Sequence, residues 1–138
     1  MVNDPKAARS AGICAGGYFG AAAAYLGNAL AIIAVRPWNP LPDLAMAALP
    51  LACAAMGLRV LSGSHRAAKY AVVVAGGFAA IHLIGSAYLF LDPPDASLGL
   101  SRSLSWQLAA TYLFLWTGIL ASALSLAHAT RPDPLAGH

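Results

Sequence analysis

Four apolar runs, each bounded by charge or proline, follow one another along the chain at approximately 11–35, 43–62, 67–91 and 104–128. A run of about 20 apolar residues is the length that crosses a bilayer's hydrocarbon core as a helix. The pattern therefore predicts an all-α integral membrane protein, a four-transmembrane-helix bundle occupying 1–138 as a single domain. The connection Ser62–Arg66 is short, so the second and third spans are expected to be antiparallel neighbours.

The first run has the most distinctive pattern. It reads GICAGGYFGAAAAYLGN, with Gly12, Gly16, Gly20, Ala24 and Asn28 at every fourth position. Positions four apart line up as a ridge on a helix, here stripped of side-chain bulk until it ends in a carboxamide. Small residues let helices approach closely in lipid, where apolar bulk gives little driving force for association. A helical glycine costs roughly 1 kcal/mol against alanine, so Gly12, Gly16, Gly17, Gly20 and Gly27 imply a compensating contact. Its partner is either an internal helix or another chain. Gly76 and Gly77 mark a second close-approach site in the third span, and the first span is expected to be the close-packing element of the bundle.

Proline punctuates the runs. The segment VRPWNPLPD, 35–43, has three prolines and is expected to be non-helical, because each lacks an N–H and biases its predecessor towards an extended conformation. Pro50 is expected to loosen or kink the second span. The loop LDPPDASLGLSRS, 91–103, precedes a fourth helix capped by Ser103 or Ser105. Trp38 and Trp106 suit the membrane–water boundary. Residues 1–10 read as a polar cytoplasmic lead. The run after them continues past any small-residue cleavage site, so it is expected to be retained as a span rather than removed as a signal peptide.

Composition narrows the function classes. The chain is 59% hydrophobic and 9% charged, with a mean hydropathy of +0.68, against roughly 25% charged residues in soluble domains. It has no glutamate, and its aspartates (Asp4, Asp43, Asp92, Asp95 and Asp133) lie near or beyond the ends of the apolar runs. The net charge of +3 is scattered over span ends rather than massed in a patch, which argues against nucleic-acid binding. Lys6, Arg9, Arg59, Arg66, Lys69 and Arg131 fall on one side of a four-span arrangement, Arg36 and Arg102 on the other. The positive-inside tendency then places both termini in the cytoplasm of a multi-pass cell-membrane protein. Cys14 and Cys53 sit at levels roughly 12 Å apart at about 1.5 Å per residue, too far for a disulfide, and read as small packing residues.

Candidate chemistry is confined to a few polar side chains. Counted from span midpoints at about 1.5 Å per residue, Asn28 lies roughly 7 Å, His82 roughly 4 Å and Thr111 with Tyr112 roughly 6–7 Å towards the outer face. Ser86 follows His82 by four residues and shares its face. A membrane-embedded ionisable residue is a candidate functional site. Asn28, His82, Ser86, Thr111 and Tyr112 therefore form a candidate polar pocket in the outer half of the bundle, or a set of interhelical hydrogen bonds that fix packing. Haem ligation would need two histidines facing one another at one depth; His82 has no counterpart, and His65 with His128 would lie at the cytoplasmic surface. No CxxC, HxxxH or helical His/Glu pair points to a metal, and no catalytic constellation or cofactor is expected. Two functions remain. One is a non-catalytic accessory or assembly subunit whose partners are the bilayer and other membrane chains. The other is a homo-oligomeric transporter or channel for a small, weakly polar or neutral solute.

Overall fold

The computed structural model describes residues 4–35, 39–91 and 102–132. They form four helices: α1 (Pro5–Val35), α2 (Pro40–Leu61), α3 (His65–Leu91) and α4 (Arg102–Ala129). α1, α3 and α4 are each long and apolar enough to cross a membrane, while the apolar stretch of α2, Met46–Leu61, is shorter. The start of α1 and the end of α4 share one end of the bundle, where the Ser10 and Ser125 hydroxyls lie 3.3 Å apart.

All four helices begin earlier than their apolar runs, and in two of them the first residue is proline. α1 starts at Pro5, with Asp4 as its cap: the Asp4 carboxylate accepts the Lys6 N–H at 2.9 Å. α2 starts at Pro40, inside the segment expected to be non-helical. First-turn N–H groups have no intrahelical acceptor, so a proline there forfeits no bond. Asp43 closes that turn by accepting the Asn39 N–H at 2.7 Å, and it is buried. Pro50 lies buried within α2, and the helix continues through it. α4 already begins at Arg102, so Ser103 and Ser105 fall in its first turn rather than at its cap. Arg36, Trp38, the loop 92–101 and the tail 133–138 lie outside the described residues.

The core follows a repeat of alternating steps of four and three. On α1 the inward positions are Ala7, Ala11, Cys14, Tyr18, Ala21, Tyr25 and Asn28; on α2 they are Asp43, Met46, Pro50, Cys53, Gly57 and Val60. On α3 they are Ala68, Ala71, Ala75, Phe78 and His82, and on α4 Tyr112, Trp116, Ile119, Ala123, Leu126 and Thr130. All are buried or half-buried. A 3.5-residue repeat keeps one seam facing the neighbours along the whole length of a helix, as in coiled coils and most membrane bundles. Cys14 and Cys53 are free thiols within this core.

α1 packs closely along α2 and α4, and α3 packs along α4, but α2 and α3 approach each other at few points. The expected α2–α3 hairpin is therefore a tight turn between loosely apposed helices. Gly63, with φ 63°, supplies the left-handed turn residue after α2, and its N–H donates to the Val60 carbonyl at 2.9 Å. Ser64 caps α3 by accepting the Ala67 N–H. At this turn the Arg59 guanidinium lies 5.1 Å from the centre of the Tyr70 ring.

The glycine ridge of α1 does not close the bundle. Successive fourth positions advance by about 40° on a helix of 3.6 residues per turn, so the five positions sweep roughly 160°. Gly12, Gly16 and Gly20 are exposed, and a Cβ added at any of them would meet nothing within 4 Å. Ala24 is half-buried, and Asn28 has turned inward. Helices close instead over Gly17, where a Cβ would lie 2.8 Å from Ile119 Cγ1, and over Gly57, where it would lie 2.9 Å from the Phe19 ring. Gly76 makes only ordinary contact, 3.8 Å from Leu120, and Gly77 faces open space. Among the described residues of the protomer, no helix closes tightly over either.

Candidate functional site

Asn28, His82 and Tyr112 converge with other rings in one aromatic cluster between α1, α3 and α4. The seam positions Tyr25 and Asn28 of α1, Phe78 and His82 of α3, and Tyr112 and Trp116 of α4 fall at one level because the helices run alternately up and down. The Trp116 indole N–H donates to the Tyr25 hydroxyl at 2.9 Å, and the same hydroxyl lies 3.1 Å from His82 Nε2. The Asn28 amide donates to the Tyr112 hydroxyl. Tyr25 therefore joins all three helices, accepting a hydrogen bond from the Trp116 indole with its own hydroxyl hydrogen in reach of the His82 imidazole.

Ring stacking fills the space around these bonds. The His82 and Tyr112 rings stack with centres 5.2 Å apart and 9° between planes, and Tyr112 stacks on Tyr25 at 5.1 Å. Phe78 stacks on the fully buried Trp116 at 4.4 Å. Tyr18 meets Trp116 edge-on, and its hydroxyl donates to the Ala71 carbonyl at 2.7 Å across the core. A carbonyl has two lone pairs, so Ala71 can accept this bond without leaving its helix. Among the described residues, no buried side-chain nitrogen or oxygen lacks a hydrogen-bond partner.

Of the expected pocket residues, the structure brings together Asn28, His82 and Tyr112. Ser86 lies one turn beyond His82, and its hydroxyl donates to the His82 carbonyl at 2.7 Å, a backbone bond rather than a contact with the imidazole. Thr111 stands apart: it is exposed, and its hydroxyl donates to the Gln107 carbonyl of its own helix at 2.7 Å. Adjacent helical residues point about 100° apart, so Thr111 and Tyr112 cannot both face the core. Thr117, Ser122 and Thr130 likewise satisfy their hydroxyls on their own helix.

Tyr25 and Trp116 are the members that residue depth alone does not select, because large aromatics in a span read equally well as lipid-facing. The signal that finds them is the seam repeat, in which Tyr18, Tyr25 and Asn28 keep step with Ala7, Ala11, Cys14 and Ala21.

Two further features lie at the surface. A groove of about 270 Å³ between α1 and α4 is lined by Ile13, Gly17, Phe114, Leu115, Gly118, Ile119 and Ser122. A cleft of about 340 Å³ between α3 and α4 is lined by His65, Lys69, Leu124, Ala127, His128 and Arg131. Among the described residues no group of three or more His, Cys, Asp or Glu side chains could hold a metal ion.

Comparison of the chain with protein-family models, with curated proteins and with solved structures gives no match.

Proposed function

We propose that this chain is a non-catalytic, four-span accessory subunit with both termini on the cytoplasmic side, which joins a larger membrane complex through the outer face of α1. One observation carries this reading. Gly12, Gly16 and Gly20 form a bare strip where, among the described residues, an added Cβ would meet nothing within 4 Å. Each such glycine costs helix stability, and a close helix–helix contact in lipid is the compensation that small residues supply. The strip runs beside the apolar groove between α1 and α4, whose Gly118 is also open. A partner helix seated on the strip could lodge Leu-, Ile- or Phe-sized side chains there.

The solute-path alternative is weaker because the level at which Asn28, His82 and Tyr112 meet is filled by the rings of Tyr25, Phe78 and Trp116. A polar network whose members bond one another directly fixes packing without needing a guest.

The test is the native mass of the particle extracted in mild detergent from its own membrane, for the wild type and for Gly20→Leu. The expected wild-type particle contains other chains. The expected Gly20→Leu protein is folded, keeps its helical circular dichroism, and runs at the mass of the 14.1 kDa protomer. A wild-type particle that is a simple multiple of 14.1 kDa would replace the accessory role with self-association. A Gly20→Leu protein that fails to fold would return the strip to the protomer's own packing and overturn the proposal.

A further inference from the structure

At the end of the bundle where α1 begins and α4 ends, four basic side chains face one cleft: His65 and Lys69 from α3, His128 from the last turn of α4 and Arg131 just beyond it. Helix electrostatics explains only half of this arrangement. The partial negative charge at a helix C-terminus favours cations, which suits His128 and Arg131. His65 and Lys69 stand in the opposite situation, in the opening turns of α3, where the helix presents positive charge and no acidic residue offsets it. Among the described residues, no acidic side chain lines the cleft. The positive-inside tendency accounts for bases at this end of the molecule, but not for their convergence from two helices on one concavity. Arg59 shows the alternative, since it lies at the same end and rests on the Tyr70 ring instead.

The remaining lining grades from charge to hydrocarbon. Leu124 lies one helical turn before His128, deeper along α4, and is 51% exposed, with Ala127 between them. The cleft thus offers cations at its rim and an apolar wall leading into the bilayer region. Its volume of about 340 Å³ falls in the range of small-molecule sites. Basic clefts between membrane helices are suited to phosphate-bearing lipid head groups.

We infer that this cleft binds a phosphate group, held by Lys69 and Arg131 with His65 and His128 as hydrogen-bonding neighbours, and carried either by an acidic phospholipid or by a free phosphate. The inference rests on the membrane reading of the chain and is independent of the accessory role. The site would place the charged group where the two helices of the α3–α4 hairpin meet.

The experiment is native mass spectrometry of the full chain in detergent, with equal amounts of phosphatidylglycerol and phosphatidylcholine as probes. Phosphatidylglycerol is expected to be retained in preference. Lys69→Gln and Arg131→Gln are each expected to weaken that retention about fivefold, the effect of one lost surface cation on an acidic lipid. Arg59→Gln, outside the cleft, should leave it unchanged. Both cleft positions are exposed, and circular dichroism checks that the variants keep their helices. Excess inorganic phosphate separates the two sources. If it displaces the lipid, the cleft reads phosphate alone; if the lipid stays bound, the head group and its chains are the ligand. Either result supports the site. Equal retention of the two lipids, or equal losses in Arg59→Gln and Lys69→Gln, would overturn it.

Discussion

α1 has two faces made of similar residues and put to opposite uses. Inward, Ala7, Ala11, Cys14 and Ala21 are small so that neighbouring helices come close, and Tyr18 and Tyr25 reach across the space so created to α3 and α4. Outward, Gly12, Gly16 and Gly20 are smaller still, and among the described residues a Cβ added there would meet nothing within 4 Å. Small size is a licence for approach rather than evidence of it. Which face is used inside the protomer depends on phase: steps of four and three hold a seam in place, whereas steps of four alone wind around the helix.

The largest test of this contrast is on the inward side. Trp116→Ala removes a fully buried indole that stacks on Phe78 and donates to Tyr25. It should destabilise the bundle by about 3–5 kcal/mol, as for other buried aromatics, measured by the loss of helical signal on titration with a denaturing detergent. Next comes a pair of adjacent glycines. Gly17→Ala places a methyl 2.8 Å from the branched stem of Ile119 and should cost about 1–3 kcal/mol. Gly16→Ala meets nothing and should stabilise the isolated protomer by up to about 1 kcal/mol through helix propensity. Opposite signs at neighbouring positions would be hard to reconcile with any face assignment but this one. The smallest effect is expected for His82→Phe, which keeps a ring against Tyr112 and loses the bond to Tyr25. Interhelical hydrogen bonds in membranes average about 0.6 kcal/mol, so the variant should unfold close to wild type. A loss several times larger would show His82 to have a role beyond that one bond.

Much of the fold was legible in the sequence. The apolar runs mark all four helices, and Asn28, His82 and Tyr112, which the depth count puts near one level, touch one another in the structure. The errors have physical causes. Proline was read as a helix breaker at Pro40, where a first-turn proline forfeits no bond. The ridge from Gly12 to Asn28 is inclined to the helix axis, so its glycine end lies outside and its asparagine end inside, a division that the spacing alone leaves open. Tyr25 and Trp116 were missed because size and apolarity do not distinguish a ring that faces lipid from one that faces the core. The hydroxyls of the expected pocket residues Thr111 and Ser86 bond instead to carbonyls of their own helices, which lie within one turn.

The protein is two helical pairs, α1–α2 and α3–α4, joined along α1–α4 and tied by the turn at Ser62–Ser64. A tether of three residues holds the two pairs at a high effective concentration, so their docking is an intramolecular event. The α1–α4 seam therefore needs far less affinity than the same surface would need between separate chains, and the α2–α3 side can stay loosely apposed without the pairs drifting apart.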